Sequence, residues 1–124
     1  MSPKILVADD EPNIVISLEY LLKREGYNVV IARDGQEALE MITHELPDLV
    51  LLDVMMPKKS GFEVCQEVRA NDVLQDIKIL MLTAKGRDTD VAKGLALGAD
   101  GYMTKPFATR ELVRKVAEML GHAA

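Results

Sequence analysis

Five polar residues of this chain follow short apolar runs, and their chemistry suits a divalent cation and a phosphoryl group. Asp9 and Asp10 follow residues 5–8, Asp53 follows residues 49–52, Thr83 follows residues 79–82, and Lys105 follows the weaker run 101–104. Apolar runs of this length, bounded by turn-forming residues, predict strands that are buried on both faces. If the strands are parallel, their carboxyl ends meet at one edge of the sheet, where open α/β folds bind ligands. We therefore expect three carboxylates, a hydroxyl and an ammonium to converge on one pocket.

Strand-like and helix-like segments alternate along the whole chain. The predicted strands are residues 5–8, 28–32, 49–52 and 78–82 and a segment centred on Tyr102, and the predicted helices span about 12–25, 35–45, 62–70, 88–97 and 109–120. This fivefold alternation predicts an α/β fold with a doubly wound, five-stranded parallel sheet and helices on both faces. Because no linker, repeat or low-complexity segment interrupts the pattern, residues 1–124 are expected to form a single domain.

Composition and charge exclude several classes of protein. The chain is 48% hydrophobic and 28% charged, which argues against disorder. No apolar stretch approaches the ~18 residues of a membrane span, and the first residues lack the apolar core of a signal peptide. The single cysteine, Cys65, cannot form an internal disulfide, which suits a reducing cytoplasm. A net charge of −5 predicts no direct contact with nucleic acid.

The three aspartates predict a magnesium site. Asp9, Asp10 and Asp53 are expected within a few ångströms of one another, with Glu11 close by, and such like charges require a proton or a cation to offset them. Hard oxygen ligands on rigid strand ends suit Mg²⁺, with Mn²⁺ as an alternative. Residues 9–12 alone could instead cap a helix. Capping does not account for Asp53, which lies on a different strand.

Other metals fit the sequence less well. Calcium sites usually occur as a dense carboxylate loop, and that spacing is absent from the chain. Zinc is disfavoured because Cys65 is expected in a helix, whereas His44 and His122 fall outside the strand ends and are expected to face solvent.

Asp53 is the candidate nucleophile. An aspartate held at the end of a buried strand can attack an activated phosphoryl group and form an aspartyl phosphate. Such an attack requires a metal and a further cation to neutralise the developing charge, and Lys105 is the expected cation, with the Thr83 hydroxyl as a donor. Taken singly, Lys105 could be a solvated lysine and Thr83 an ordinary strand residue. Their joint placement at strand ends favours the site.

These motifs resemble one known family. Four stretches in this order and spacing match it over the whole chain: residues 5–11, 48–57, 81–84, and 98–102 running into 105–107. The chain resembles the receiver domain of two-component response regulators, the CheY-like family. The resemblance implies a flavodoxin-like sheet with strand order 2-1-3-4-5. It also implies a signalling switch controlled by phosphorylation.

The resemblance implies roles for the acidic residues. Asp53 would accept a phosphoryl group from the phosphohistidine of a histidine kinase or a phosphotransfer protein. Asp10, Asp53 and the backbone carbonyl of Met55 would ligate Mg²⁺ directly. Asp9 would act through water.

The resemblance also implies how phosphorylation would be sensed. Thr83 and Lys105 would bind the phosphoryl oxygens, and Tyr102 would rotate inward as Thr83 moves towards the phosphate. The Lys105–Pro106 peptide bond is expected to be cis.

Three alternatives differ in function class. An Asp-nucleophile phosphatase needs a second carboxylate two residues after the nucleophile, where this chain has Met55. Met55 and Lys85 are expected to flank the path of attacking water without acting as a base, so we expect slow autodephosphorylation at most and no enzyme. A nucleotide-binding enzyme lacks its glycine-rich or Walker motif here. A degenerate receiver would act only as a docking module, although no residue of the pocket is missing.

The output is less defined by the sequence. Receivers commonly signal to a partner or an attached effector domain through the face of the fourth helix, fifth strand and fifth helix. On that face lie Val91, Lys93, Ala96, Asp100, Gly101, Glu111 and Lys115. The four charged residues could pair two copies in a phosphorylation-dependent homodimer, but the charged set typical of such dimers is incomplete. A stand-alone receiver is slightly favoured over the N-terminal half of a longer regulator.

Overall fold

A five-stranded parallel sheet forms the centre of the protein. The computed structural model describes residues 2–84 and 86–121. The strand order is β2-β1-β3-β4-β5, and the strands are β1 (Lys4–Ala8), β2 (Asn28–Ala32), β3 (Leu49–Asp53), β4 (Lys78–Ala84) and β5 (Gly101–Lys105). Every neighbouring pair is parallel. The predicted doubly wound fold and strand order are thus confirmed.

Five helices cover the two faces of the sheet. They are α1 (Pro12–Arg24), α2 (Gly35–Glu45), α3 (Gly61–Arg69), α4 (Asp88–Ala96) and α5 (Thr109–Met119). Alternate residues of each strand point to opposite faces, so the sheet has two cores. Ile5 and Val7 pack with side chains of α1 and α5, whereas Leu6 and Ala8 pack with side chains of α2 and α3. Among the described residues, no helix combines the length and apolarity that a membrane crossing requires.

Local sequence signals explain the starts of three of the five helices. Pro12 occupies the first turn of α1, where its missing N–H costs nothing. The Asp34 side chain accepts a hydrogen bond from Glu37 N and caps α2. Ser60 and Glu63 form a complete capping box at α3. These caps satisfy backbone donors that would otherwise lack partners.

The end of the fourth strand differs from the sequence prediction. We expected the fourth strand to end at Leu82, but β4 continues to Ala84 because its pairing with β5 extends to Ala84 and Lys105. Thr83 therefore lies inside a strand. His44 is exposed, as expected, and His122 lies outside the described residues.

The last helix begins without a side-chain cap. Ala108 occupies the cap position of α5 in an extended conformation, and Glu111 stands where a capping box would place its acidic partner. We expect Ala108→Ser to raise the free energy of unfolding by about 1 kcal/mol, measured by urea denaturation, because the serine oxygen can accept a free N–H of the first turn. Ala70→Ser is the control, since Ala70 ends α3 and faces no free N–H groups. An equal change in both variants would contradict the capping argument.

Candidate functional site

The three aspartates meet at the carboxyl edge of the sheet. Carboxylate oxygens of Asp9, Asp10 and Asp53 all lie within 4.8 Å of one another. Strands β1 and β3 are neighbours in register, which places the residue after Ala8 beside the end of β3. Asp9 is completely buried and Asp53 is 6% exposed, whereas Asp10 is exposed. Two of the three charges are therefore removed from water, so their repulsion is poorly screened.

Lys105 supplies a cation to this cluster. Its Nζ lies 2.7 Å from Asp9 Oδ2, 3.2 Å from Glu11 Oε1 and 3.5 Å from Asp53 Oδ1. The side chain is only 15% exposed, so water screens its attraction to these carboxylates less than on an open surface. One ammonium faces four carboxylates, counting Asp10, and the cluster keeps an excess of negative charge.

The electrostatics favour a proton or a cation at Asp53. Burial, together with the neighbouring Asp9 carboxylate, raises the pKa of Asp53 to about 7, although Lys105 and the Met55 N–H oppose the shift. Burial disfavours the charged form of Lys105, but its hydrogen bond to Asp9 and the charge of Asp53 outweigh this and raise the pKa of Lys105. Lys105 therefore stays charged at neutral pH, whereas the pKa of Asp53, the candidate nucleophile, lies close to neutral pH.

Thr83 offers an unused donor in the same pocket. Thr83 Oγ1 is buried and has no hydrogen-bond partner among the residues that the structure describes. Together with Asp53 and Lys105, Thr83 lines a pocket of about 120 Å³. A buried hydroxyl without a partner costs free energy, so this arrangement favours an acceptor-bearing ligand.

Backbone contacts hold the aspartates in place. Met55 N donates to Asp53 Oδ1 at 3.3 Å, and Glu11 N donates to Asp9 Oδ1 at 3.0 Å. A Cβ at Gly61 would collide with the Asp53 carbonyl oxygen, so the loop after β3 can pack this closely only with glycine there.

The α1 cap position, Glu11, makes no side-chain capping bond. Helix capping is therefore not the role of this acidic segment.

The residues expected to sense phosphorylation lie nearby. Tyr102 is 46% exposed and lines a cavity of about 170 Å³ together with Thr83. The Met55 side chain is exposed at the rim of the pocket, while Lys85 lies outside the described residues. The Lys105–Pro106 bond is cis, as expected.

Two charged residues at the rim were not singled out in the sequence. Arg87 Nη2 lies 2.9 Å from Asp90 Oδ2, and both residues line the pocket that contains Asp53. Charges at the start of an exposed helix are common and usually solvated, so sequence spacing alone gave no reason to select them. Their position immediately after the Thr83 strand was the available signal.

Two charged residues of the expected output face, Asp100 and Lys93, already have partners within the chain. The Asp100 carboxylate accepts from Ile79 N at 2.8 Å and pairs with Arg69 at 2.7 Å. The Lys93 ammonium lies 4.6 Å from the centre of the Phe62 ring. Intermolecular pairs formed by Asp100 or Lys93 would compete with these contacts.

The site fits a hard divalent cation. Its carboxylate oxygens converge within 4.8 Å, two of them on buried residues, and their charge exceeds that of Lys105. Oxygen-only donor sets of this kind suit Mg²⁺, which uses one or two carboxylates and keeps several waters. Neither a thiol nor an imidazole belongs to the cluster, which disfavours zinc.

The family model of the response regulator receiver domain matches residues 5–117. This chain belongs to that family. The alkaline phosphatase synthesis transcriptional regulatory protein PhoP of Bacillus subtilis is 52% identical over 120 residues, covering 97% of this chain and 49% of PhoP. The receiver chain thus spans about half the length of that curated relative.

Solved structures agree with the receiver fold. A response regulator from Chloroflexus aurantiacus is 36% identical with a TM-score of 0.94, and the match covers 98% of this chain and 100% of that one. The receiver domain of the sensor histidine kinase PA1611 from Pseudomonas aeruginosa is 29% identical with a TM-score of 0.90, covering 98% and 99% of the two chains. That structure has a magnesium ion coordinated in its active-site cleft.

The receiver assignment gives the chain its class of function. It is a phosphorylation-dependent signalling switch of a two-component system, with the CheY-like fold. Receiver domains bind Mg²⁺ at an acidic cluster, and this chain has such a cluster. Receivers are typically not enzymes, and the comparisons give no support to the phosphatase or docking-module alternatives.

Proposed function

We propose that Asp53 is the phosphoryl acceptor of this receiver and that a histidine kinase or phosphotransfer protein is the donor. One observation supports this above the others: the buried Asp53 carboxylate shares a pocket with the Lys105 ammonium and with the unpaired hydroxyl of Thr83. A phosphoryl group on Asp53 would give that hydroxyl an acceptor and Lys105 an additional anionic partner.

The transfer is a displacement at phosphorus. A carboxylate oxygen of Asp53 attacks, the new O–P bond forms, and the P–N bond of phosphohistidine breaks. The electron pair of that bond goes to the imidazole nitrogen of the donor. Lys105 and Thr83 donate hydrogen bonds to the phosphoryl oxygens, where charge accumulates. Because Lys105 remains charged at neutral pH, it requires no proton transfer to do so.

The acidic cluster would hold the metal. Asp10, Asp53 and the Met55 carbonyl would ligate Mg²⁺ (or Mn²⁺) directly, and Asp9 would act through water. When bound, the metal neutralises the charge of the carboxylates and of the incoming phosphoryl group. Asp9 also positions Lys105, because Asp9 Oδ2 lies 2.7 Å from Lys105 Nζ.

Signal output would begin at Thr83. Its hydroxyl moves towards the phosphoryl group and vacates space beside Tyr102, which then rotates from its half-exposed position into the cavity that both residues line. The face of α4, β5 and α5 changes shape and controls a downstream protein or effector domain, or pairs two copies of the chain. With a net charge of −5, the domain itself makes no contact with nucleic acid. Residues 1–124 act as one domain in the cytoplasm, consistent with the single free thiol of Cys65.

Turnover would be slow. Hydrolysis of an aspartyl phosphate is accelerated by a group that orients or deprotonates water. Met55, two residues after Asp53, provides no such group at the rim of the pocket. The phosphorylated state therefore lasts long enough to act as a signal.

Incubation with acetyl phosphate and Mg²⁺ tests the proposal. We expect one phosphoryl group per chain by intact mass spectrometry, lost on treatment with hydroxylamine as an acyl phosphate is. Continuous release of inorganic phosphate without accumulation would indicate a phosphatase. An unlabelled protein would indicate a docking module.

A further inference from the structure

A second cation lies at the mouth of the phosphoryl pocket. Arg87 immediately precedes α4, and its Nη2 pairs with Asp90 Oδ2 at 2.9 Å. The Arg87 side chain is 50% exposed, whereas that of Asp90 is 14% exposed. The guanidinium thus lies on the solvent side of a carboxylate that is more deeply set.

The pair shares the pocket with the reacting groups. Arg87 and Asp90 line the same space of about 120 Å³ as Asp53, Thr83 and Lys105. In so small a pocket, a phosphoryl group on Asp53 lies within reach of a long and half-exposed side chain. Arginine suits this role because its planar donors can bind two oxygens of a phosphoryl group at once.

The charge of the pocket favours a change of partner for Arg87, from Asp90 to the phosphoryl group. Lys105 is already shared among Asp9, Glu11 and Asp53. Phosphorylation adds further negative charge to this acidic pocket, so a second cation is attracted inward. Asp90 can release Arg87 at low cost, because it lies in the first turn of α4, where the helix N-terminus stabilises a carboxylate.

We propose that Arg87 is a phosphoryl-binding residue, which leaves Asp90 and binds the phosphoryl group once Asp53 is phosphorylated. This inference rests on the proposed phosphorylation of Asp53. In the unphosphorylated state, Asp90 holds the Arg87 side chain in an ion pair. This change of partner also displaces the backbone just before α4. The N-terminus of α4 would therefore move in response to the phosphoryl group through Arg87 as well as through Thr83.

Beryllium fluoride with Mg²⁺, a mimic of the bound phosphoryl group, provides the test. Its dissociation constant is measured by fluorine NMR titration for the wild type, Arg87→Ala, Arg87→Lys and Asp90→Asn. We expect Arg87→Ala to weaken binding about five- to tenfold, as the loss of a charge-assisted hydrogen bond at a half-exposed site would. Arg87→Lys should recover part of the loss. Asp90→Asn should bind as tightly as the wild type or tighter, because Arg87 is released.

A matched control removes a cation elsewhere. Lys23 pairs with Glu19 within α1, one turn away, in an arrangement like that of Arg87 and Asp90. Lys23→Ala should leave beryllium fluoride binding unchanged. If Arg87→Ala binds as tightly as Lys23→Ala, or if Asp90→Asn weakens binding as much as Arg87→Ala, the proposed exchange is wrong. A wild type that fails to bind beryllium fluoride would overturn the exchange together with the role of Asp53, whereas a normal wild type with unaffected Arg87→Ala would overturn the exchange alone.

Discussion

Asp53→Asn is expected to abolish phosphorylation by acetyl phosphate, reducing the label from one phosphoryl group per chain to none. The amide has almost the shape of the carboxylate but is not a nucleophile towards phosphorus, so the pocket persists while the chemistry is lost. Asp53 is 6% exposed and held by the Met55 N–H, which limits rearrangement after the substitution. Intact mass spectrometry after a fixed incubation with Mg²⁺ measures the result.

The control for this substitution is Asp76→Asn. Asp76 is an exposed carboxylate in the segment between α3 and β4, remote from the carboxyl edge of the sheet. This variant should be labelled like the wild type. Labelling that persists in Asp53→Asn at the wild-type level would place the nucleophile at another residue and refute the assignment of Asp53.

The second large effect is expected in the free energy of unfolding of the metal-free protein, compared between the wild type and Asp53→Asn. The pKa of Asp53 in the folded protein is about 7, raised from the ordinary value of 3.8 by burial and by Asp9. The folded state therefore binds the proton more tightly than the unfolded state does. This contribution to stability is fully present below about pH 4 and is lost as the pH rises towards 7. Asp53→Asn does not titrate, so it should become more stable than the wild type by roughly 2–4 kcal/mol above pH 7.

Urea denaturation in the presence of a chelator measures this difference. The free energies of unfolding of the wild type and Asp53→Asn are compared at several values between pH 4 and pH 8, with Asp76→Asn as the surface control. Adding Mg²⁺ at pH 8 should narrow the difference, because Asp53→Asn lacks one of the carboxylate ligands and Mg²⁺ therefore stabilises the folded wild type more than the folded variant. The Mg²⁺ effect should shrink in Asp10→Ala. A difference that stays constant across the pH range would show that the burial of the Asp53 charge is not costly.

Much of the site could be predicted from local sequence pattern. Apolar runs that end in Asp9, Asp53 and Thr83 specify buried strands, and parallel strands joined by right-handed crossovers bring these ends to one edge. The strand order itself came from the family resemblance. The missing cap at Ala108 could likewise be predicted, since capping depends on a few neighbouring residues.

The partners within the site required the tertiary structure. Asp9 and Asp10 are adjacent in sequence, yet Asp9 is buried against Lys105 and Asp10 faces solvent, because successive residues at a strand end point in opposite directions. The length of β4 was set by its ladder with β5, which the apolar run alone does not show. The ion pair between Arg69 and Asp100 also appeared only there. The sequence by itself determined which strand-end groups reach the pocket, because the strand pattern is local. Only the folded chain decided which charges pair, because pairing depends on distances between side chains from separate elements.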